Sequence, residues 1–156
     1  MNRVTLIRNF ASLVCGEHVI IARERDEWGM SLAEKTPRLI LPKDIMKQDE
    51  EDKKFRKFFL TLCPLAWEFS DITISILHEI GHHFHRIEYI TCDEDEYNNA
   101  FGYDHFKLPC EMIATEWAIK WLQNKDNRAI AKQFNKTFLT RDDNVPLGRP
   151  RDLTQL

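Results

Sequence analysis

His78-Glu79-Ile80-Gly81-His82 carries the residue types and spacing best suited to chemistry in this chain. Histidines four positions apart return to nearly the same face of an α-helix, so both imidazoles can reach one metal ion. Glu79 falls on the adjoining edge, where its carboxylate meets a metal-bound water rather than the metal. Two neutral nitrogens beside a carboxylate base are the working parts of a zinc hydrolase. Shuffling this composition would produce the pattern in roughly one chain in fifty, so the competing reading is a helix with surface histidines.

A catalytic zinc takes one more protein ligand and keeps one position open. The candidates are Glu111, Glu116, Asp104, His105, Cys92 and Cys110. Glu111 and Glu116 share a helix after Pro109, but five steps of 100° turn them about 140° apart. Ala114, Thr115, Ala118 and Leu122 lie on Glu111's face, and small side chains at 114 and 118 allow close approach to the histidine helix. This face selects Glu111 and leaves Glu116 to solvent. His85 lies about 10 Å beyond His78 along the helix axis, too far to join the site. His83 points away and is expected to be exposed, and His18 is an ordinary strand residue. Tyr103 and His105, in the stretch leading to the Glu111 helix, are candidate donors to a developing oxyanion. A carboxylate-bridged di-iron site needs a second Glu-x-x-His step, and the sequence has only Glu79–His82. The acidic run Asp93-Glu94-Asp95-Glu96 lacks the spacing of a calcium loop and reads as a solvated loop.

The elements that position these residues follow from periodicity and punctuation. A helix over 2–15 ends at Gly16. Short β-branched runs at His18–Ala22 and Arg38–Pro42 read as strands, with Trp28-Gly29 as a turn between them. Phe55, Phe58, Phe59 and Leu62 recur at helical spacing within Asp49–Leu62, and Pro64 closes that segment. The motif helix begins at Ser70 or Asp71 and carries a core-facing stripe of Leu77, Ile80, Phe84 and Ile87. Residues 89–107 read as irregular, followed by helices over about 110–123 and about 127–138. The expected fold class is α+β: a mostly helical domain over 1–140 with a small β-sheet near the motif helix. Residues 141–156, with Pro146, Gly148 and Pro150, read as a polar flexible tail. Arg38–Leu41 is the expected exposed sheet edge along which an extended substrate adds as a strand.

Composition narrows the setting. One domain of 156 residues buries a core without disulfides, and 43% hydrophobic with 30% charged residues is ordinary for a globular chain. A net charge of −3 argues against nucleic acid as the main partner. No apolar run approaches the ~20 residues of a membrane span, and Val4–Phe10 reads as a packed amphipathic helix rather than a signal peptide. Cys15, Cys63, Cys92 and Cys110 have no regular spacing, which fits buried thiols in a reducing cytoplasm.

His78-Glu79-Ile80-Gly81-His82 followed by Glu111-Met112-Ile113-Ala114-Thr115-Glu116-Trp117-Ala118-Ile119-Lys120-Trp121-Leu122 resembles the ImmA/IrrE metallopeptidases. In that family an H-E-L-G-H helix precedes a helix of E-x-x-A-N-x-F-A-x-x-L-L character. The likeness covers residues 78–122 and departs at Thr115, where asparagine is usual, and at Trp117, where phenylalanine is usual. It implies a zincin-like fold and a gluzincin-like site in which His78, His82 and Glu111 bind zinc and Glu79 is the catalytic base. It also implies a specific protein substrate, a helix-turn-helix repressor. Two other readings stand beside it: a zinc-stabilised interaction module without proteolytic activity, and a protease acting on DNA-bound proteins.

Overall fold

The structure is a computed structural model that describes residues 2–23, 26–31, 35–47, 49–85 and 94–141. Helix α1, Arg3–Cys15, starts where the Asn2 side chain accepts from the Thr5 N–H, and it stops at Gly16. Gly16 has φ 75°, a left-handed conformation that glycine reaches without steric cost, and its N–H donates to the Ser12 carbonyl.

Three short strands follow: β1 (Ile20–Ala22), β2 (Gly29–Ser31) and β3 (Arg38–Ile40). Their order is β1-β3-β2, with β1 parallel and β2 antiparallel to β3, and Met30 opposite Leu39. Two expectations change here. Gly29 opens a strand instead of completing a turn with Trp28. A Gly-Met-Ser stretch has little intrinsic strand preference, and pairing with β3 together with burial of Met30 decides its conformation. β3 is central and spends its backbone groups on both neighbours, so Arg38–Leu41 is not a free edge; β1 and β2 are the edges.

Helix α2, Glu50–Leu62, is capped by Asp49, whose carboxylate accepts from the Asp52 N–H. A 3-10 turn over Pro64–Glu68 leads into α3, Asp71–Phe84, where Ser70 accepts from the Thr73 N–H. Arg56 fastens α2 to that turn, donating to the carbonyls of Phe69 at 2.9 Å and Trp67 at 2.8 Å. Helices α4 (Glu94–Asn99) and α5 (Tyr103–Phe106) occupy a stretch that the sequence pattern suggested was irregular. Acidic residues at a helix start favour its dipole, and Asn99 folds back to donate to the Asp95 carbonyl at 2.8 Å. Helices α6 (Pro109–Gln123) and α7 (Lys125–Thr140) complete the chain, with Pro109 in the first turn of α6 and Asn124 capping α7.

The core is one cluster gathered around α3, with Leu6, Ile7, Phe10, Ile74, Ile76 and Leu77 nearly or fully buried in it. Phe10 of α1 stacks on Phe134 of α7 at 4.2 Å, which joins those two helices in the core. Buried Asn135 of α7 fixes the start of α3: its Oδ1 accepts from the Ser70 N–H and the Thr73 hydroxyl, and its Nδ2 donates to the Glu68 carbonyl. Leu77 and Ile80 face this core as expected, but Phe84 is 43% exposed at the helix end and stacks on Trp117. The chain is thus mostly helical with a small mixed sheet, an α+β arrangement. Cys15, Cys63 and Cys110 are buried. Ile87, Cys92, Asp93 and the 142–156 tail lie outside the described residues. No described helix is long and apolar enough to cross a membrane.

Candidate metal centre

α3 and α6 form the most extensive helix pair in the molecule. Gly81 makes that packing possible. A Cβ built on Gly81 would stand 2.5 Å from the Ala114 carbonyl oxygen and 3.0 Å from its Cα, closer than atoms tolerate. The glycine inside the histidine motif and the alanine three residues after Glu111 therefore let two backbones nearly touch. That contact brings α3's imidazoles to the first turn of α6.

Glu111 occupies that first turn, where the positive end of the helix dipole favours a carboxylate. Its Oε2 lies 2.8 Å from His78 Nε2 and 2.9 Å from His82 Nε2, and the two Nε2 atoms are 3.2 Å apart. A triangle with those sides has a circumscribed radius of about 1.7 Å, shorter than the ~2.0–2.2 Å of zinc–nitrogen and zinc–oxygen bonds. An ion can therefore sit at bonding distance from all three atoms, so the donor set fits a metal. His78, Glu79 and His82 also form a group that could hold a metal ion, with ligand atoms within 4.8 Å of one another. Glu111 is the closer carboxylate donor to the imidazole pair, which leaves Glu79 available for other work.

Two of the three donors, His78 and Glu111, are held from behind. The Thr115 hydroxyl lies 3.1 Å from His78 Nδ1. With a metal on Nε2, His78 Nδ1–H would donate to that hydroxyl and the Nε2 lone pair would be directed at the ion. Phe55 of α2 braces the His78 ring edge-on at a centroid distance of 4.7 Å. His105 Nε2 lies 3.3 Å from Glu111 Oε1, which occupies one carboxylate oxygen and leaves the other for the histidine pair. Glu116 is exposed on the far side of α6, as the 140° rotation requires.

The charges are coupled. Burial opposes ionisation of Glu111, but hydrogen bonds from His105, His78 and His82 outweigh it and hold the carboxyl far below its usual range. Burial lowers the basicity of His82, yet the Glu111 bond and the nearby Glu79 and Glu111 charges give a net upward shift. Glu79 is pushed upward by burial against the opposing pull of His82 and His78, the direction a carboxylate needs to work as a base near neutral pH.

These groups open onto a cleft of about 600 Å³ that is also lined by Trp28, Met30, Phe55, Ser75, Tyr97 and His105. Tyr103 is not among the lining residues; its ring packs on Phe58 and Phe106. Tyr97 stands on the His105 wall instead, ring centroids 5.1 Å apart, and burial with the nearby Glu111 charge raises its hydroxyl to about 12, so it stays a proton donor. Position 97 falls within the misread 89–107 stretch, so nothing in the sequence pattern pointed to it. Thr115 was legible as a neighbour of Glu111 on the helix face, but not as a partner of His78. His83, expected to be exposed, is buried with Nε2 3.9 Å from Glu17, because α3 is covered on that side too. His18 is exposed just before β1, and His85 stays outside the cleft lining. Asp104, Cys110 and the described acidic residues Asp95 and Glu96 take no part in the metal-capable group.

Comparison with family models, with curated proteins and with solved structures finds no match to this chain.

Proposed function

We propose that this protein is a cytoplasmic zinc-dependent peptidase in which His78, His82 and Glu111 hold the ion and Glu79 is the catalytic base. The supporting observation is the convergence of two Nε2 atoms and one Oε2 within 3.2 Å of one another, beside a carboxylate whose proton affinity burial has raised. Bound zinc supplies Lewis acidity at the scissile carbonyl and lowers the pKa of water. Glu79 accepts the proton of the attacking water and delivers it to the leaving amine. His105 keeps Glu111 oriented, and Tyr97 offers a hydroxyl on the same wall. The cleft's apolar side, Trp28, Met30 and Phe55, receives substrate side chains. The resemblance to ImmA/IrrE metallopeptidases and their zincin-like fold supports the same reading and names a helix-turn-helix repressor as the substrate to try first. A zinc-stabilised module that only binds partners has no chemical use for a half-buried carboxylate at position 79.

The test is Glu79→Gln. The variant should keep zinc at one ion per chain by elemental analysis while cleavage of a helix-turn-helix repressor substrate falls at least about a hundredfold, the scale of a lost general base. Cleavage at the native rate would remove Glu79 from the mechanism. Zinc-loaded protein that never cleaves any offered protein would favour the interaction module.

A further inference from the structure

One end of the cleft has a chemistry that peptide hydrolysis does not itself require. Its walls carry Asp26, Glu27, Asp44, Asp49, Glu51 and Asp52, against one lysine or arginine among the described lining residues, Lys47. Several of these carboxylates are already engaged: Asp26 with the Lys43 N–H, Asp44 with the Met46 N–H, Asp49 with the Asp52 N–H, Glu51 with Lys54. Asp49 and Asp52 are the pair crowded against each other. They stand together at the start of α2, and among the described residues no lysine or arginine pairs with either. Burial and the neighbouring Asp49 charge push Asp52 up to about 7, a local excess of negative charge that a cation would relieve.

A second, independent observation comes from the same cleft. Ser75 of α3 is 6% exposed, lines the cleft, and has no hydrogen-bond partner among the described residues. Its hydroxyl is not among the polar atoms sealed from solvent, so it can hydrogen-bond a group that enters the cleft. Ser75 lies one turn before Glu79, and Asp52 lies one turn before Phe55, whose ring touches His78. The carboxylate pair, the hydroxyl and the metal donors therefore belong to one continuous cavity, with Met30 and Phe55 as apolar surface beside them.

We infer that this end of the cleft receives a lysine or arginine side chain of the substrate, with its stem over Phe55 and Met30 and its charged head among Asp49, Asp52 and Ser75. The inference rests on the peptidase reading for its occupant, a peptide. Substrate choice then turns on a basic residue close to the cleaved bond. Long cationic side chains suit such a site because their methylenes cover apolar surface while the head finds acceptors.

The experiment uses zinc-loaded full-length Glu79→Gln protein and two fluorescein-labelled peptide pools. The pools share randomised neutral flanks and differ only at a central arginine or its neutral isostere, citrulline. Fluorescence anisotropy should show the arginine pool binding at least tenfold more tightly. In an Asp49→Asn/Asp52→Asn background the ratio should fall to within twofold; asparagine still caps α2, so the helix start is preserved. Equal binding of the two pools, no measurable binding of either, or a preference that survives the double substitution each overturns the inference. The comparison of pools in the protein without the aspartate changes remains decisive even if the double variant folds poorly. Cleavage of the same pools by protein with Glu79 intact separates the two ideas. An arginine preference without cleavage keeps the subsite and removes the peptidase, whereas cleavage without preference does the reverse.

Discussion

Gly81→Ala is a one-methyl change whose sign tests how the site is built. In an unobstructed helix interior, alanine is more stable than glycine by about 1 kcal/mol. At position 81 the added Cβ would stand 2.5 Å from the Ala114 carbonyl oxygen and 3.1 Å from its carbonyl carbon. These are backbone atoms of α6 and cannot rotate away. Restoring an ordinary 3.4 Å contact requires α3 and α6 to separate by about 0.9 Å. Overpacking of this kind costs about 1–3 kcal/mol, which offsets the helix-propensity gain and exceeds it through most of that range. The metal centre is more sensitive still, because its imidazoles come from α3 and its carboxylate from α6. A metal site tolerates ligand displacements of about ±0.2 Å, several times less than this separation. Gly81→Ala should therefore lower zinc affinity at least about tenfold, the scale seen when groups that orient metal ligands are removed. Competition against a chromophoric chelator measures that affinity, and a thermal melt of metal-free protein measures the packing cost. The melting temperature should fall by a few degrees, at about 2–4 °C per kcal/mol for a chain of this size. A variant that melts higher and binds zinc as tightly as its parent would refute the close-contact argument.

Glu111→Ala should lose bound zinc in elemental analysis while Glu116→Ala keeps it; the reverse result would reassign the ligand. Thr115→Val removes the hydroxyl 3.1 Å from His78 Nδ1 at nearly constant volume, so zinc affinity should drop about 10–100-fold, and unchanged affinity would deny Thr115 a role in orienting the ring. Asp52→Asn should stabilise the protein in a pH-dependent way. Native Asp52 stays protonated up to about 7 whereas the unfolded chain ionises near 3.8, so the wild type loses stability between those values. The variant's melting-temperature advantage should therefore grow from pH 5 to about pH 7 and level off above it. An advantage that shrinks over that range would contradict the buried, crowded state of this carboxylate.

Much of the fold was legible because helices announce themselves locally. Gly16, Asp49, Ser70 and Pro109 mark helix ends through backbone conformation or capping, which neighbours in sequence alone determine. The helical angle separated Glu111 from Glu116 and the small residues at 114 and 118 chose between them; the opposite exposures of the two glutamates agree with that separation. What escaped depends on contacts distant in sequence. Gly29–Ser31 becomes a strand because β3 is there to pair with it, and β3 loses its edge for the same reason. His83 is buried because α3 is enclosed on more sides than an amphipathic stripe suggests. Tyr97 and Ser75 reach the cleft through tertiary folding, and no short motif contains either.

Charge shows the same divide between what composition reveals and what folding adds. A net charge of −3 spread over 156 residues argues against nucleic acid but does not say which partner is favoured. Folding gathers carboxylates from the segment before β2, the segment after β3 and the start of α2 around one opening, with Lys47 as the only lysine or arginine among its described lining residues. At separations below a Debye length of about 8 Å such charges act together, so the cleft's field exceeds what the whole-chain average suggests. A phosphate backbone would be repelled from that opening, whereas a basic peptide would be drawn to it. The argument against nucleic acid thus becomes a local one at the cleft, and it supports the proposed basic substrate side chain in a way the sequence-wide charge could not.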